Sequence, residues 1–106
     1  MNRGEVWSVS LNPTRGSEQN GTRPALIISP DTMNNSLDTK VVIPLTRTLK
    51  AWPSRVNTQF KSQTGQAMCE QIRTISSKRL HSYLGNLSSS EIVQVLCTVK
   101  ALYGEA

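Results

Sequence analysis

Acidic residues are missing from Thr39 to Cys69. The same stretch holds Lys40, Arg47, Lys50, Arg55 and Lys61, while acidic and basic side chains balance in the rest of the chain. The formal net charge of +5 therefore sits in one middle segment. Such a segment is either a solvated basic loop or the footprint of a polyanion. Histidine is nearly absent: His81 stands alone, with no ligating neighbour at a metal-site spacing, so a metal centre is not expected. Cysteine is scarce too. Cys69 and Cys97 are too few for a disulfide framework and read as two small buried hydrophobes. Aromatics are limited to two tryptophans, two tyrosines and one phenylalanine. With Trp7 and Tyr103 expected inside, few remain for a nucleic-acid surface built on stacking. No apolar run approaches a membrane span, and "MNRGEVW" lacks a signal-peptide core, so no membrane is expected and a cytoplasmic location is. A glycine-rich phosphate fingerprint, a nucleophile elbow and a Cys–His pair are also lacking.

What is present suits one domain, residues 1–106, with 37% hydrophobic residues gathered into short clusters. "GEVWSVSL" alternates, with Trp7, Val9 and Leu11 on one face, as in a strand. "NPTRGSEQNGT" is a long loop, and long loops in small domains are often functional. "RPALIISP" reads as a strand buried on both faces, and a helical turn is expected after Asp31. "TKVVIPLT" is a third strand, in which Pro44 predicts an edge or a bulge. A basic loop follows, then a weak strand over 56–60. "GQAMCEQIRT" reads as a fifth strand, and "SSKRLHSYLGNL" as a helical turn with a short strand. Ser88 and Glu91 fit a capping box. Ile92, Leu96, Val99 and Tyr103 then recur at helical spacing, flanked by Val95 and Leu102, to an end near Gly104. Short strands followed by one helix predict an α+β fold with a strongly bent antiparallel sheet.

The remaining chemistry lies in polar groups at strand ends: Arg23, Thr46, Glu70 and Arg73, with Ser17, Glu18 and Gln19 in the long loop. Arginine offers a planar fork of donors suited to phosphate, a hydroxyl adds another donor, and a carboxylate can act as a base. The residues alone favour an ordinary ion pair of Arg23 with Glu70 or Glu18.

"RGEVWSVSLNPTRGSEQNGTRPALIISP", "VVIPLT" and "CEQIRTI" together resemble the MazF/PemK (Kid) toxins of bacterial toxin–antitoxin modules. Those begin R-G-[DE]-[VI]-W, continue with a P-T-x-G-x-E-Q-x-G-x-R-P loop, and carry a D/E-Q-x-R strand. The resemblance runs from Arg3 to Tyr103. It implies a small, strongly bent antiparallel β-barrel of the Src-homology-3-like Kid/MazF/CcdB type with a C-terminal α-helix. It implies metal-independent, cofactor-free cleavage of single-stranded RNA, mainly mRNA, at a short motif by the ribose 2′-OH. It assigns Arg23 and Thr46 to catalysis; sequence logic adds Glu70 as the candidate base, Ser17, Gln19 and Gln71 as groups that position RNA, and the basic Arg47, Lys50 and Arg55 as contacts to its backbone. The resemblance further implies a homodimer and an acidic MazE-like antitoxin. Two positions depart from the Kid branch: Ser17 replaces a loop histidine and Met68 an arginine, so the branch that relies on Arg23 and Thr46 is the one followed. The alternatives are a gyrase poison of the CcdB kind, whose W-G-I tail is replaced here by "LYGEA", a non-catalytic nucleic-acid-binding barrel, and a homologue without activity.

Overall fold

Side-chain alternation decides the first strand. In the computed structural model, which describes residues 1–11 and 21–104, β1 (Glu5–Val9) sends Val6 to one side of the sheet, and Trp7 and Val9, with Leu11 beyond, to the other. The shared face of Trp7, Val9 and Leu11 is as expected, and Val6 shows that the opposite face is buried as well. β2 (Arg23–Ile27) repeats this: Leu26 and Ile28 join the Val6 cluster, while Ala25 and Ile27 join the Val9 cluster. A short helix, α1 (Asp31–Ser36), leads to β3 (Thr39–Thr46), and β4 (Arg55–Phe60) and β5 (Gln63–Met68) form a hairpin. β6 (Arg73–Ser76), β7 (Leu80–Asn86) and the C-terminal α2 (Ser89–Tyr103) complete the order.

All the pairings are antiparallel, in the order β4-β5-β3-β2-β1-β7, with β6 also on β3. The sheet curls so far that its two ends meet. A Cβ on Gly85 of β7 would stand 3.2 Å from the Phe60 ring of β4, so the glycine permits the approach. α2 covers the first cluster with Val95, Ile92, Leu96 and Val99. Its capping box is complete, with the Glu91 N–H donating to Ser88 Oγ at 3.2 Å and the Ser88 N–H to Glu91 Oε1 at 3.0 Å. The Gln59 N–H also donates to Glu91 Oε2 at 2.7 Å, tying the helix start to β4.

Several expectations need correction. β3 is central, not an edge. It pairs with β2 on one side, and on the other with β6 through Val42 and with β5 from Leu45. Pro44 falls in the handover between those two partners, where a missing donor costs the ladder nothing. The single strand read through "GQAMCEQIRT" is two, β5 and β6, separated by a one-turn 3-10 helix over Cys69–Gln71. Cys69 is buried, but Cys97 is exposed on the outer face of α2. Tyr103 is also outside, its hydroxyl donating to the Cys69 carbonyl at 3.2 Å. Among the described residues no helix is long and apolar enough to cross a membrane.

Candidate active site

The register between β2 and β3 builds the site. Ala25 faces Pro44 and Leu26 faces Ile43. Arg23, the first residue of β2, and Thr46, the last of β3, therefore lie toward the same end of this strand pair, beyond its last paired residues Ala25 and Pro44. Arg23 and Thr46 line an open cleft of about 270 Å³, joined by Arg47. Pro24, Leu45 and Phe60 give it apolar walls, and Thr58 and Thr64 add hydroxyls. Arg23 and Arg47 are exposed, so their charged tips are offered to solvent while the buried strands fix their backbones. Thr46 Oγ1 accepts the Thr48 N–H at 3.1 Å, which directs its own proton elsewhere. The floor depends on Gly65 of β5, where a Cβ would stand 2.5 Å from the Thr46 carbonyl oxygen. Two guanidinium groups and threonine hydroxyls around one opening can receive a phosphate group.

The other residues expected at the site divide. Ser17 and Gln19 lie outside the described residues. Gln71 is exposed on the 3-10 turn and does not line the cleft. Glu70 is not brought to Arg23. Its carboxylate accepts Ser54 Oγ–H at 2.7 Å and Arg55 Nε–H at 2.9 Å. Arg55, expected as a surface cation, is a structural one, with its side chain only 6% exposed. Its Nη1 donates to the Thr48 carbonyl and to Gln66 Oε1, each at 3.2 Å. Lys40 also turns inward, donating to the Leu37 carbonyl at 2.9 Å and to Ser77 Oγ at 3.1 Å. The exposed part of the basic segment is thus Arg47, Lys50 and Lys61.

Sequence reasoning missed Gln66. It is buried and braces the 47–55 loop: its Nε2 donates to the Lys50 carbonyl at 3.1 Å and to Asn57 Oδ1 at 3.0 Å, and its Oε1 accepts the Lys50 N–H at 3.0 Å. Cys69 is no nucleophile in waiting, because burial, with the Glu70 charge beside it, pushes its thiol up to about 11.

Partial burial acts to raise the Glu70 pKa. The bonds from Ser54, its own backbone and Arg55 outweigh burial and hold the carboxyl below the ordinary 4.5. A base with a depressed pKa is a weak one. The depressed value also makes Glu70 a source of stability that is present above pH 4.5 and lost as pH falls through its lower folded value. Replacing Glu70 with Gln should therefore lower the unfolding free energy at pH 7 and lessen its fall below pH 4.5. Urea unfolding at pH 7 and pH 3 checks this; equal losses at both pH values would show that the carboxylate's charge is not what stabilises.

The family model for PemK-like, MazF-like toxins of type II toxin–antitoxin systems matches residues 2–103. Endoribonuclease MazF9 of Mycobacterium tuberculosis is 36% identical over 105 residues, covering 90% of this chain and 89% of its own. Endoribonuclease MazF of Staphylococcus epidermidis is 36% identical over 101 residues, covering 90% and 84%. In a crystal structure of MazE–MazF from Deinococcus radiodurans, one chain superposes with a TM-score of 0.87 at 23% identity, over 100% of this chain and 97% of that one. The match across the strands that carry Arg23 and Thr46, and through α2, makes the chain a member of the PemK/MazF toxin family of type II toxin–antitoxin systems.

Proposed function

We propose that the chain is an endoribonuclease that cuts single-stranded RNA at a short motif, through attack of a ribose 2′-OH on its own 3′-phosphate. The observation that carries this is that Arg23, at the start of β2, and Thr46, at the end of β3, line one open cleft together with Arg47. The attack gives a 2′,3′-cyclic phosphate and a 5′-OH, and negative charge gathers on the phosphorane oxygens on the way. Arg23 and Thr46 donate to those oxygens, while Arg47 holds the adjoining phosphate. Electrostatic stabilisation is the main source of rate in this reading. Glu70 holds the loop through Arg55 rather than serving as the base, and Lys50 meets the RNA backbone beyond the cleft. Relatives named as endoribonucleases support the activity, and a MazE–MazF complex on the same fold supports an antitoxin partner. An acidic antitoxin tail would occupy the basic cleft in place of RNA, and two copies of the chain would line a shared groove.

Purified protein incubated with a long RNA, followed by primer extension, tests the activity and reveals the motif. An RNA with 2′-deoxyribose at the cleaved nucleotide should be inert, because the nucleophile is gone. EDTA should leave the rate unchanged, since arginine and hydroxyl donors meet the phosphate charge. Thr46→Ala should raise the barrier by about 2–4 kcal/mol for one lost donor, with Thr46→Ser retaining much of the activity. Cleavage of the deoxy substrate, or inhibition by EDTA relieved by magnesium, would point to another nuclease mechanism.

A further inference from the structure

Trp52 sits in the basic loop and leaves 48% of its surface exposed. It is not a loose side chain. The Arg55 guanidinium carbon stands 4.6 Å from its ring centroid, and Lys50 Nζ stands 5.6 Å from it. Arg55 is itself immobilised by Glu70, Gln66 and the Thr48 carbonyl. The Lys50 backbone is clamped at both its N–H and its carbonyl by the buried Gln66 amide. A network of charged and amide groups therefore holds one indole in a fixed place and lets it face solvent. Burying the Arg55 charge against Glu70 only to support a surface loop is a costly arrangement unless the loop needs a fixed shape.

The surroundings say what such a surface fits. Arg47, Lys50 and Trp52 follow one another along the exposed loop, with cations placed for phosphates and a ring placed for a base. Fixed aromatics among cations are how proteins hold single-stranded nucleic acid, since each base has a face to stack while its phosphate meets a charge. Arg47 lines the cleft, and the five residues from it to Trp52 span at most about 18 Å. We infer that Trp52 is a stacking platform for a nucleobase of the single-stranded RNA, a few nucleotides from the scissile phosphate, and that Glu70, Arg55 and Gln66 are positioning residues that hold it. The inference rests on the RNA-cleaving reading and names a second point of contact for the same substrate. An acidic peptide would satisfy the cations but has no flat face for the indole.

Binding of fluorescein-labelled 12-mers, followed by anisotropy, tests this. DNA resists 2′-OH chemistry, so dA12 and an abasic 12-mer of equal charge separate stacking from phosphate contact. The wild type should prefer dA12 by about tenfold, within the range for stacking one or two bases. Trp52→Ala should remove most of that preference and leave abasic affinity unchanged, while Trp52→Phe should keep most of it. Glu70→Gln should reduce the preference in part by loosening the ring. An unchanged preference in Trp52→Ala overturns the platform. So does an equal loss for both probes accompanied by a lower Tm, which would make the indole a structural staple. A loss confined to a twelve-residue polyglutamate probe also overturns it, in favour of a peptide. No effect of Glu70→Gln overturns the positioning role. If the wild type binds neither nucleic-acid probe, the platform fails, and the RNA-cleaving reading is decided separately by whether primer extension shows cleavage of RNA; if it binds both without dependence on Trp52, only the platform fails.

Discussion

Arg23→Ala should reduce RNA cleavage by on the order of a thousandfold or more while leaving the unfolding midpoint in urea unchanged. The two halves of this expectation have separate causes. The side chain is exposed at the first residue of β2, so its removal opens no cavity and breaks no pairing in the sheet. Arg23 does, however, line the cleft with Thr46 and Arg47, where the proposed reaction would gather negative charge. Arg23→Lys should recover little, because a point charge cannot present two parallel donors to a phosphate. Rates measured with a fluorogenic oligonucleotide containing the mapped motif check both variants. A rate near wild type for Arg23→Ala would move the site elsewhere. A lowered unfolding midpoint would instead give the side chain a structural role.

Gly65→Ala should combine a loss of stability with a loss of activity. The added Cβ would stand 2.5 Å from the Thr46 carbonyl oxygen, a backbone atom that cannot swing aside. β5 must then retreat from β3 at Leu45 and Thr46, the two residues of β3 that it pairs. Overpacking of this kind costs about 1–3 kcal/mol. The displaced atoms belong to Thr46, whose hydroxyl is proposed to donate to the phosphate, so on that reading kcat should fall more than the stability loss alone explains. Urea unfolding beside single-turnover cleavage at saturating enzyme separates the two effects. Full activity in a destabilised Gly65→Ala would show that the Thr46 hydroxyl does not need the β3–β5 contact to hold its place.

Much of the fold was legible because the signals were local. The 2-residue period of β1, the apolar run of β2 and the Ser88–Glu91 capping box each act over a few neighbouring residues, and each element formed where its pattern lay. Arg23 and Thr46 were legible as strand-end polar groups, and the R-P loop and "VVIPLT" resemblance singled them out. Pro44 misled because a missing donor is harmless both at an edge and where a central strand changes partners, and only the pairing of β3 tells these apart. Tyr103 misled because helical spacing says which residues share a face, not how far along the helix the neighbouring sheet extends.

By itself the sequence determined most of the elements, the family and the two residues that open β2 and close β3. Those follow from periodicity, capping and contiguous motifs, which need no distant partner. Only the tertiary structure decided what each charge does. Arg47 and Arg55 lie in one basic loop and look alike in sequence, yet Arg47 lines the cleft while Arg55 is locked beneath Trp52 by Glu70 and Gln66. An ion pair or an amide clamp depends on where the curl of the sheet sets β4 and β5 beside the 3-10 turn. Such contacts join residues 11 to 16 positions apart, and no local pattern encodes them.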